Sequence, residues 1–148
     1  MGSLIGTGRR RLEGGIKVRG EISYAGDLQL PGLTHARLVL CPHSAARIVE
    51  IDDSAAASSP GVLAVVSGAD LKGVAAPAPF LLAAGRAAFA GQPVAVVVAE
   101  SEALAADAAA LVQVRYEPLP AVVDAESALD PAAPSVIPGR PNLTDHVL

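Results

Sequence analysis

The chain offers few side chains whose types could do chemistry: three histidines (His35, His43 and His146), one cysteine (Cys41) and the adjacent pair Asp52-Asp53. His35 and His43 together would make half of a metal site, but no carboxylate or cysteine at ligand spacing completes it. Strand packing for His35 and loop exposure for His43 are the expected roles. Asp52 and Asp53 could hold a cation or share a proton. Neighbouring strand positions point to opposite faces, however, so the pair is expected to shape a turn and cap a helix. Cys41 as a nucleophile would need His43 as its base. The proline between them sets a turn, not a dyad. Ser67 and Ser101 sit near turns, and neither lies in a Gly-x-Ser-x-Gly elbow. Gly6-Thr7-Gly8 follows no strand and lacks the third glycine of a dinucleotide fingerprint. Gly91-Gln92-Pro93 is the most unusual local segment. It reads as a loop-to-strand junction at which glycine admits a close backbone approach. On chemistry alone, no residue is assigned a catalytic, cofactor-binding or metal-binding role.

The elements that would position these residues follow from patterning. Residues 33–40 read as a strand closed by Cys41-Pro42. Residues 47–51 are β-branched enough for a second strand, although Ile48 and Val49 break strict alternation. Asp53-Ser54 opens a short Ala-rich helical turn, stopped by Pro60-Gly61. Residues 62–66 form a third strand, ended by Ser67-Gly68-Ala69-Asp70. Residues 72–90, with Pro77 and Pro79, read as a loop holding at most one weak helical turn. Residues 94–99 are six consecutive apolar residues, the pattern of a strand covered on both faces. Ser101 is an N-cap followed by Glu102 in the first turn. Leu104, Ala108, Leu111 and Val112 fall on one helical face expected to pack on the sheet. Residues 112–116 return to strand. Prolines 118, 120, 131, 134, 138 and 141 make the remainder an extended tail, with one helical turn near Ser127. The fold class is α+β (mixed α/β), with a mixed sheet, two helices and a Pro-rich tail.

Composition narrows the function classes. A chain of 148 residues suits one domain and can bury roughly 68–70% of its unfolded surface. It is 51% hydrophobic, yet only 3% aromatic, with no tryptophan, so the core must be aliphatic. Readers that stack bases on aromatic platforms are disfavoured. The net charge of −4 argues against nucleic acid as a partner. Basic residues cluster early, at Arg9, Arg10, Arg11, Lys17 and Arg19, in a Gly-rich arm suited to a solvated or partner-facing role. A lone cysteine makes no internal disulfide and fits a reducing compartment. No apolar run reaches the ~18 residues of a spanning helix. The arginine run is not followed by an apolar region, so it is no export signal. A cytoplasmic location without membrane attachment is the expectation.

Six segments in order carry a resemblance. They are residues 17–34 (Lys-Val-Arg-Gly-Glu-Ile-Ser-Tyr-Ala-Gly-Asp-Leu-Gln-Leu-Pro-Gly-Leu-Thr), Cys41-Pro42-His43-Ser44-Ala45-Ala46-Arg47-Ile48, and Pro60-Gly61-Val62 with residues 65–71. Residues 91–100, from Gly91-Gln92-Pro93-Val94-Ala95 to Ala99-Glu100, residues 106–120 and Pro141-Asn142-Leu143 complete the set. Together they resemble the opening module of the molybdenum-binding subunit of the xanthine dehydrogenase, aldehyde oxidase and carbon monoxide dehydrogenase family. Cys41 takes a place usually held there by serine, and the loop at 72–90 is shorter than usual. The resemblance implies an α/β-hammerhead domain over 17–120, preceded by an extended arm at 1–16 and followed by the tail at 121–148.

It further implies a parent complex holding molybdenum–molybdopterin, iron–sulfur clusters and commonly flavin. The partners would be a molybdenum-binding subunit or domain, an iron–sulfur subunit and a flavin subunit. The parent reaction would hydroxylate an aldehyde or heteroaromatic carbon with oxygen from water. In the family the molybdopterin contacts, a glutamine near the metal and a catalytic glutamate lie in several hundred further residues, and no motif found here belongs to that set. The expected role is therefore structural: a separate small subunit or a truncated N-terminal piece, not catalytic alone, with no cofactor bound by the chain itself. The Arg-rich arm would suit docking to an acidic neighbour. Two alternatives stay open at this point, a free-standing interaction or ligand-binding domain on the same fold, and a small enzyme using Cys41 or a histidine.

Overall fold

The computed structural model describes residues 5, 6, 8–71, 81–137 and 139–143. Residues up to Leu33 and from Thr34 onward form two separate compact units. In the first, α1 (Gly14–Val18) carries an ion pair between Lys17 and Glu13 at 2.7 Å, one turn apart. The Lys17 N–H also donates to the Glu13 carbonyl, which closes a helical turn where the sequence suggests an extended arm. Tyr24 opens a 3-10 turn (Ala25–Asp27), its N–H donating to the Asp27 carboxylate at 2.8 Å.

The second unit contains β1 (His35–Leu40), β2 (Ala46–Asp52), β3 (Val62–Ser67), β4 (Arg86–Ala87), β5 (Pro93–Ala99) and β6 (Gln113–Pro118), with helices α2 (Ser54–Ala57) and α3 (Glu102–Leu111). The α+β class stands. The expected mixed sheet resolves into two three-stranded sheets, A in the order β1-β5-β3 and B in the order β4-β2-β6, every pair antiparallel. Each sheet has one central strand that recruits a partner on both edges, β5 in A and β2 in B.

The broken alternation at Ile48-Val49 has a direct cause. The β2–β6 register shifts between Ile48 and Glu50. A β-bulge of this kind absorbs one extra residue and restores the phase. Ile48 and Ile51 therefore both pack against the core, while Glu50 stays exposed and meets Arg115 across the strands at 3.0 Å.

Two buried clusters hold the unit together. Cys41, Ala46, Ala83, Ala87 and Val94 form the first, flanked by Ile48, Val114 and Tyr116. Ala56, Val97, Ala108 and Val112 form the second, flanked by Ile51, Val62 and Val65. Val39 and Val114 pack against both. Aliphatic burial at about 25 cal/mol per Å² is the main source of stability in such a core.

Helix α3 begins as its sequence predicts, the Ser101 Oγ accepting from the Leu104 N–H at 3.3 Å. Its buried face differs from the expected stripe. Ala105, Ala108 and the following Val112 are buried, but Leu111 is 46% exposed. The small alanine side chains are the ones buried against the Val97 cluster.

The segment at 72–90 also needs correction where it is described. Residues 72–80 lie outside the described residues. Within 81–90 the chain forms β4, a two-residue strand that alanine and arginine do not announce. The tail has its 3-10 turn at Ser127–Leu129, as expected. It is not simply extended: the Asn142 side chain accepts from the Val136 N–H at 3.0 Å and donates to the Pro134 carbonyl at 3.1 Å. Arg86 on β4 holds it by donating to the Ser135 carbonyl at 3.0 Å.

Candidate functional site

The residues singled out by the sequence converge where β1 ends and β5 begins. The Cys41 N–H donates to the Gln92 carbonyl at 2.9 Å, and the Gly91 N–H donates to the Cys41 carbonyl at 2.7 Å. Cys41 is thus gripped through its backbone by the Gly-Gln-Pro segment. Gly91 is needed there for a positive φ of +86°, not for the close approach expected from sequence, since a Cβ would meet nothing within 4 Å. Gln92 is buried, and its side-chain oxygen accepts from the Ala88 N–H at 2.6 Å. Pro93 then starts β5, its missing N–H costing no hydrogen bond at a strand's first position.

The Cys41 thiol is 1% exposed and donates weakly to the His43 carbonyl oxygen at 3.6 Å. The His43 ring packs edge-on to Tyr116 at 5.2 Å, so it does not serve the thiol as a base. The Tyr116 hydroxyl is buried without a well-formed hydrogen bond. Burial, followed by the neighbouring Cys41 thiol, pushes its pKa up to about 12. This arrangement can clamp three backbone segments; it presents neither an accessible nucleophile nor a shared proton.

His35 lies half-buried on β1, in the row with Ala99 and Val62. His146 and Thr7 lie outside the described residues. Among the described residues no three or more His, Cys, Asp and Glu side chains form a group that could hold a metal ion. The capping role expected of the aspartate pair falls to Asp52 alone. Its carboxylate accepts from the Ser54 hydroxyl at 2.6 Å and the Ser54 N–H at 3.1 Å, which holds its pKa below the usual carboxylate range. Asp53 precedes α2 without a side-chain capping bond.

Ser67 is taken in the same way. Its hydroxyl and N–H donate to Asp70 at 2.6 and 2.8 Å, lowering the Asp70 pKa. Sequence reasoning missed the role of Gly68. A Cβ there would lie 2.6 Å from the Ala83 carbonyl carbon, so the turn after β3 and the approach to β4 meet backbone to backbone. Its signal is the Ser-Gly-x-Asp spacing itself, in which Asp70 folds the turn and glycine leaves room for it. Among the described residues, no helix is long and apolar enough to cross a membrane.

Residues 19–120 match the family described as "Aldehyde oxidase and xanthine dehydrogenase, a/b hammerhead domain". The carbon monoxide dehydrogenase large chain of Afipia carboxidovorans is 41% identical over 138 residues, covering 88% of this chain and 17% of that one. Xanthine dehydrogenase 1 of Arabidopsis thaliana is 36% identical over 135 residues, covering 87% and 10%. Among solved structures, a Cu,Mo-CO dehydrogenase superposes with a TM-score of 0.74 at 39% identity, over 87% of this chain and 17% of that one. Quinoline 2-oxidoreductase from Pseudomonas putida 86 gives 0.72 at 42% identity, over 85% and 18%. The chain thus spans less than a fifth of the length of these relatives.

Proposed function

We propose that this chain, which belongs to the a/b hammerhead domain family of aldehyde oxidase and xanthine dehydrogenase, serves as the structural module of a molybdenum hydroxylase. It would act, as a separate small subunit or as an N-terminal piece, with the molybdenum-binding portion that makes up the other four fifths or more of such relatives. An iron–sulfur subunit and a flavin subunit complete the assembly, in the cytoplasm. The parent reaction is oxidation of an aldehyde, an N-heterocycle or carbon monoxide, the classes that its relatives' names span.

One observation carries the reading: among the described residues, the two buried polar residues, Ser67 and Gln92, are spent on partners within the chain itself. Ser67 is bound to Asp70, and Gln92 holds the Ala88 N–H. The closest glycine approach, at Gly68, is filled by residues 83 and 84 of the chain itself. Among the described residues, the buried side-chain polar atoms without partners are Arg86 Nε and the Tyr116 hydroxyl. A guanidinium nitrogen and a phenol do not make a ligand set for a molybdenum ion. The cofactor, when bound by the partner, supplies the redox chemistry, and this chain supplies placement.

The purified chain tests this directly. Metal analysis should find molybdenum far below one equivalent, and the preparation should oxidise none of the three substrate classes. Stoichiometric molybdenum or turnover by the chain alone contradicts the proposal.

A further inference from the structure

We propose that the segment following β6 is a strap: its described residues from Asp124 to Leu143 close on themselves around Asn142, Arg86 pins them to sheet B, and the strap opens as a unit while both sheets stay folded. Every group that holds it closed belongs to this chain.

The loop is tied first to itself. The Asn142 side-chain oxygen accepts from the Val136 N–H at 3.0 Å, and its amide nitrogen lies 3.1 Å from the Pro134 carbonyl and 3.5 Å from the Ala128 carbonyl. One side chain thus joins the start, the middle and the end of the loop. The Ser135 hydroxyl lies 2.6 Å from the Ile137 carbonyl and 2.8 Å from the Arg140 carbonyl, which draws the two limbs together. Asp124 and Asp130 fold the first limb, accepting from the Ser127 N–H at 2.7 Å and the Ala132 N–H at 2.8 Å. Aspartate makes turns of this kind by bonding the backbone just beyond it.

The loop is tied to the sheets at one place. Arg86 Nη2 donates to the Ser135 carbonyl at 3.0 Å. Among the described residues, no other hydrogen bond or ion pair joins residues 124–143 to the rest of the chain. Neither core cluster includes any of them, and no described residue after Val112 is buried. The loop instead surrounds an open groove of about 280 Å³ lined by its own residues, Leu129, Pro131 and Leu143 among them. A segment with little buried apolar surface and a single anchor opens at a lower free energy than the domain unfolds.

The anchor is itself only partly satisfied. Arg86 is half-buried and stands opposite Arg47 in the antiparallel register of β2 and β4. Like charges directly opposite one another are destabilising. Arg47 is offset by its ion pair with Glu117 on the other neighbouring strand, whereas Arg86 pairs with no carboxylate among the described residues. Its Nε is buried without a partner. Closure therefore gains one charge-assisted bond and leaves a neighbouring donor dehydrated. Opening lets water reach the guanidinium, and an acceptor stronger than a backbone carbonyl at Arg86 favours the open state.

Hydrogen exchange read by NMR on the full chain tests the strap from both ends. Arg86→Gln should speed exchange of the Val136 amide by about tenfold, the effect of losing one hydrogen bond to a charged group, although that amide is bonded to Asn142 and not to residue 86. Asn142→Ala, in a residue outside both core clusters, should speed exchange of the Arg86 Nε–H by about the same factor, because a coupling visible from one end must be visible from the other. Amides of β5, the central strand of sheet A, should keep their rates in both variants. A Val136 amide that keeps its native rate in Arg86→Gln overturns the pin. An Arg86 Nε–H that keeps its rate in Asn142→Ala overturns opening as one unit. Faster exchange in β5 in step with Val136 overturns the strap altogether, since tail and sheets then open together.

Discussion

Replacing Gly68 by alanine should unfold the domain far more readily than replacing Gly91 or Gly26. A Cβ at residue 68 would stand 2.6 Å from the Ala83 carbonyl carbon and 2.9 Å from the Ala84 nitrogen. Comfortable contact between heavy atoms is roughly 3.5–4.0 Å, so one of the two segments must retreat by about 1 Å. Two hydrogen bonds hold them where they are. The Gly68 N–H donates to the Val94 carbonyl at 3.2 Å, and the Ala83 N–H donates to the Pro93 carbonyl at 2.7 Å. A retreat of that size takes at least one of them out of bonding range. Losing a bond costs about 1 kcal/mol, and leaving a buried donor unpaired costs about 1–3 kcal/mol. The expected loss is therefore about 2–4 kcal/mol, from a total that is about 5–15 kcal/mol for a domain. Two other glycines separate this mechanism from generic effects. Gly91 has φ +86° with open space around its Cβ, so Gly91→Ala should cost only the left-handed backbone strain of about 1–2 kcal/mol. Gly26 has neither feature, and Gly26→Ala should be neutral or stabilising by about 0.4–1 kcal/mol. Urea unfolding followed by far-UV circular dichroism gives the order through shifts in midpoint at constant slope. Gly68→Ala within about 0.5 kcal/mol of the native chain, or equal losses at all three positions, would show that no steric clash with residues 83 and 84 arises.

Other outcomes follow from the same packing. In a Tyr24→Phe background, absorbance titration should show Tyr116 ionising near pH 12. The folded state then holds a proton that the unfolded state releases above pH 10. Stability is therefore full below pH 10 and falls as pH rises towards 12, and a Tyr116→Phe partner variant should lose that slope. Ser101→Ala removes the cap of α3 and should cost about 1 kcal/mol in urea unfolding, with Ser101→Asp retaining most of it. Gln92→Leu leaves the Ala88 N–H without its side-chain acceptor and should cost about 1–3 kcal/mol, seen as faster amide exchange at Ala88.

Much of the framework is legible in the residues because local chemistry and packing agree there. Ser101 with Glu102 sets the start of α3, and the valine-rich run sets β5. Tertiary packing decides the rest. The two-residue β4 has no propensity of its own and exists because β2 offers it an edge. Leu111 fits the helical period yet faces water, since the small alanines of α3 fill the space against Val97. Asp53 sits where a cap belongs, but Asp52 reaches Ser54 from the end of β2. Gly91 and Gly68 look alike in sequence, and only three-dimensional proximity tells the positive-φ glycine from the crowded one. The candidate catalytic groups were readable as isolated residues. Their backbone commitments, such as the grip of residues 91 and 92 on Cys41, depend on pairings across about fifty residues of chain and leave no local mark.

In the proposed structural role, this domain frames a molybdenum centre without contributing to its chemistry. A chimaera tests it most directly: the Afipia carbon monoxide dehydrogenase large chain with its matched segment replaced by this one, 41% identical to it. Molybdenum content and carbon monoxide dehydrogenase activity per assembled enzyme should stay close to those of the parent. An assembled chimaera that has lost its molybdenum, or keeps the metal and loses turnover, would contradict it.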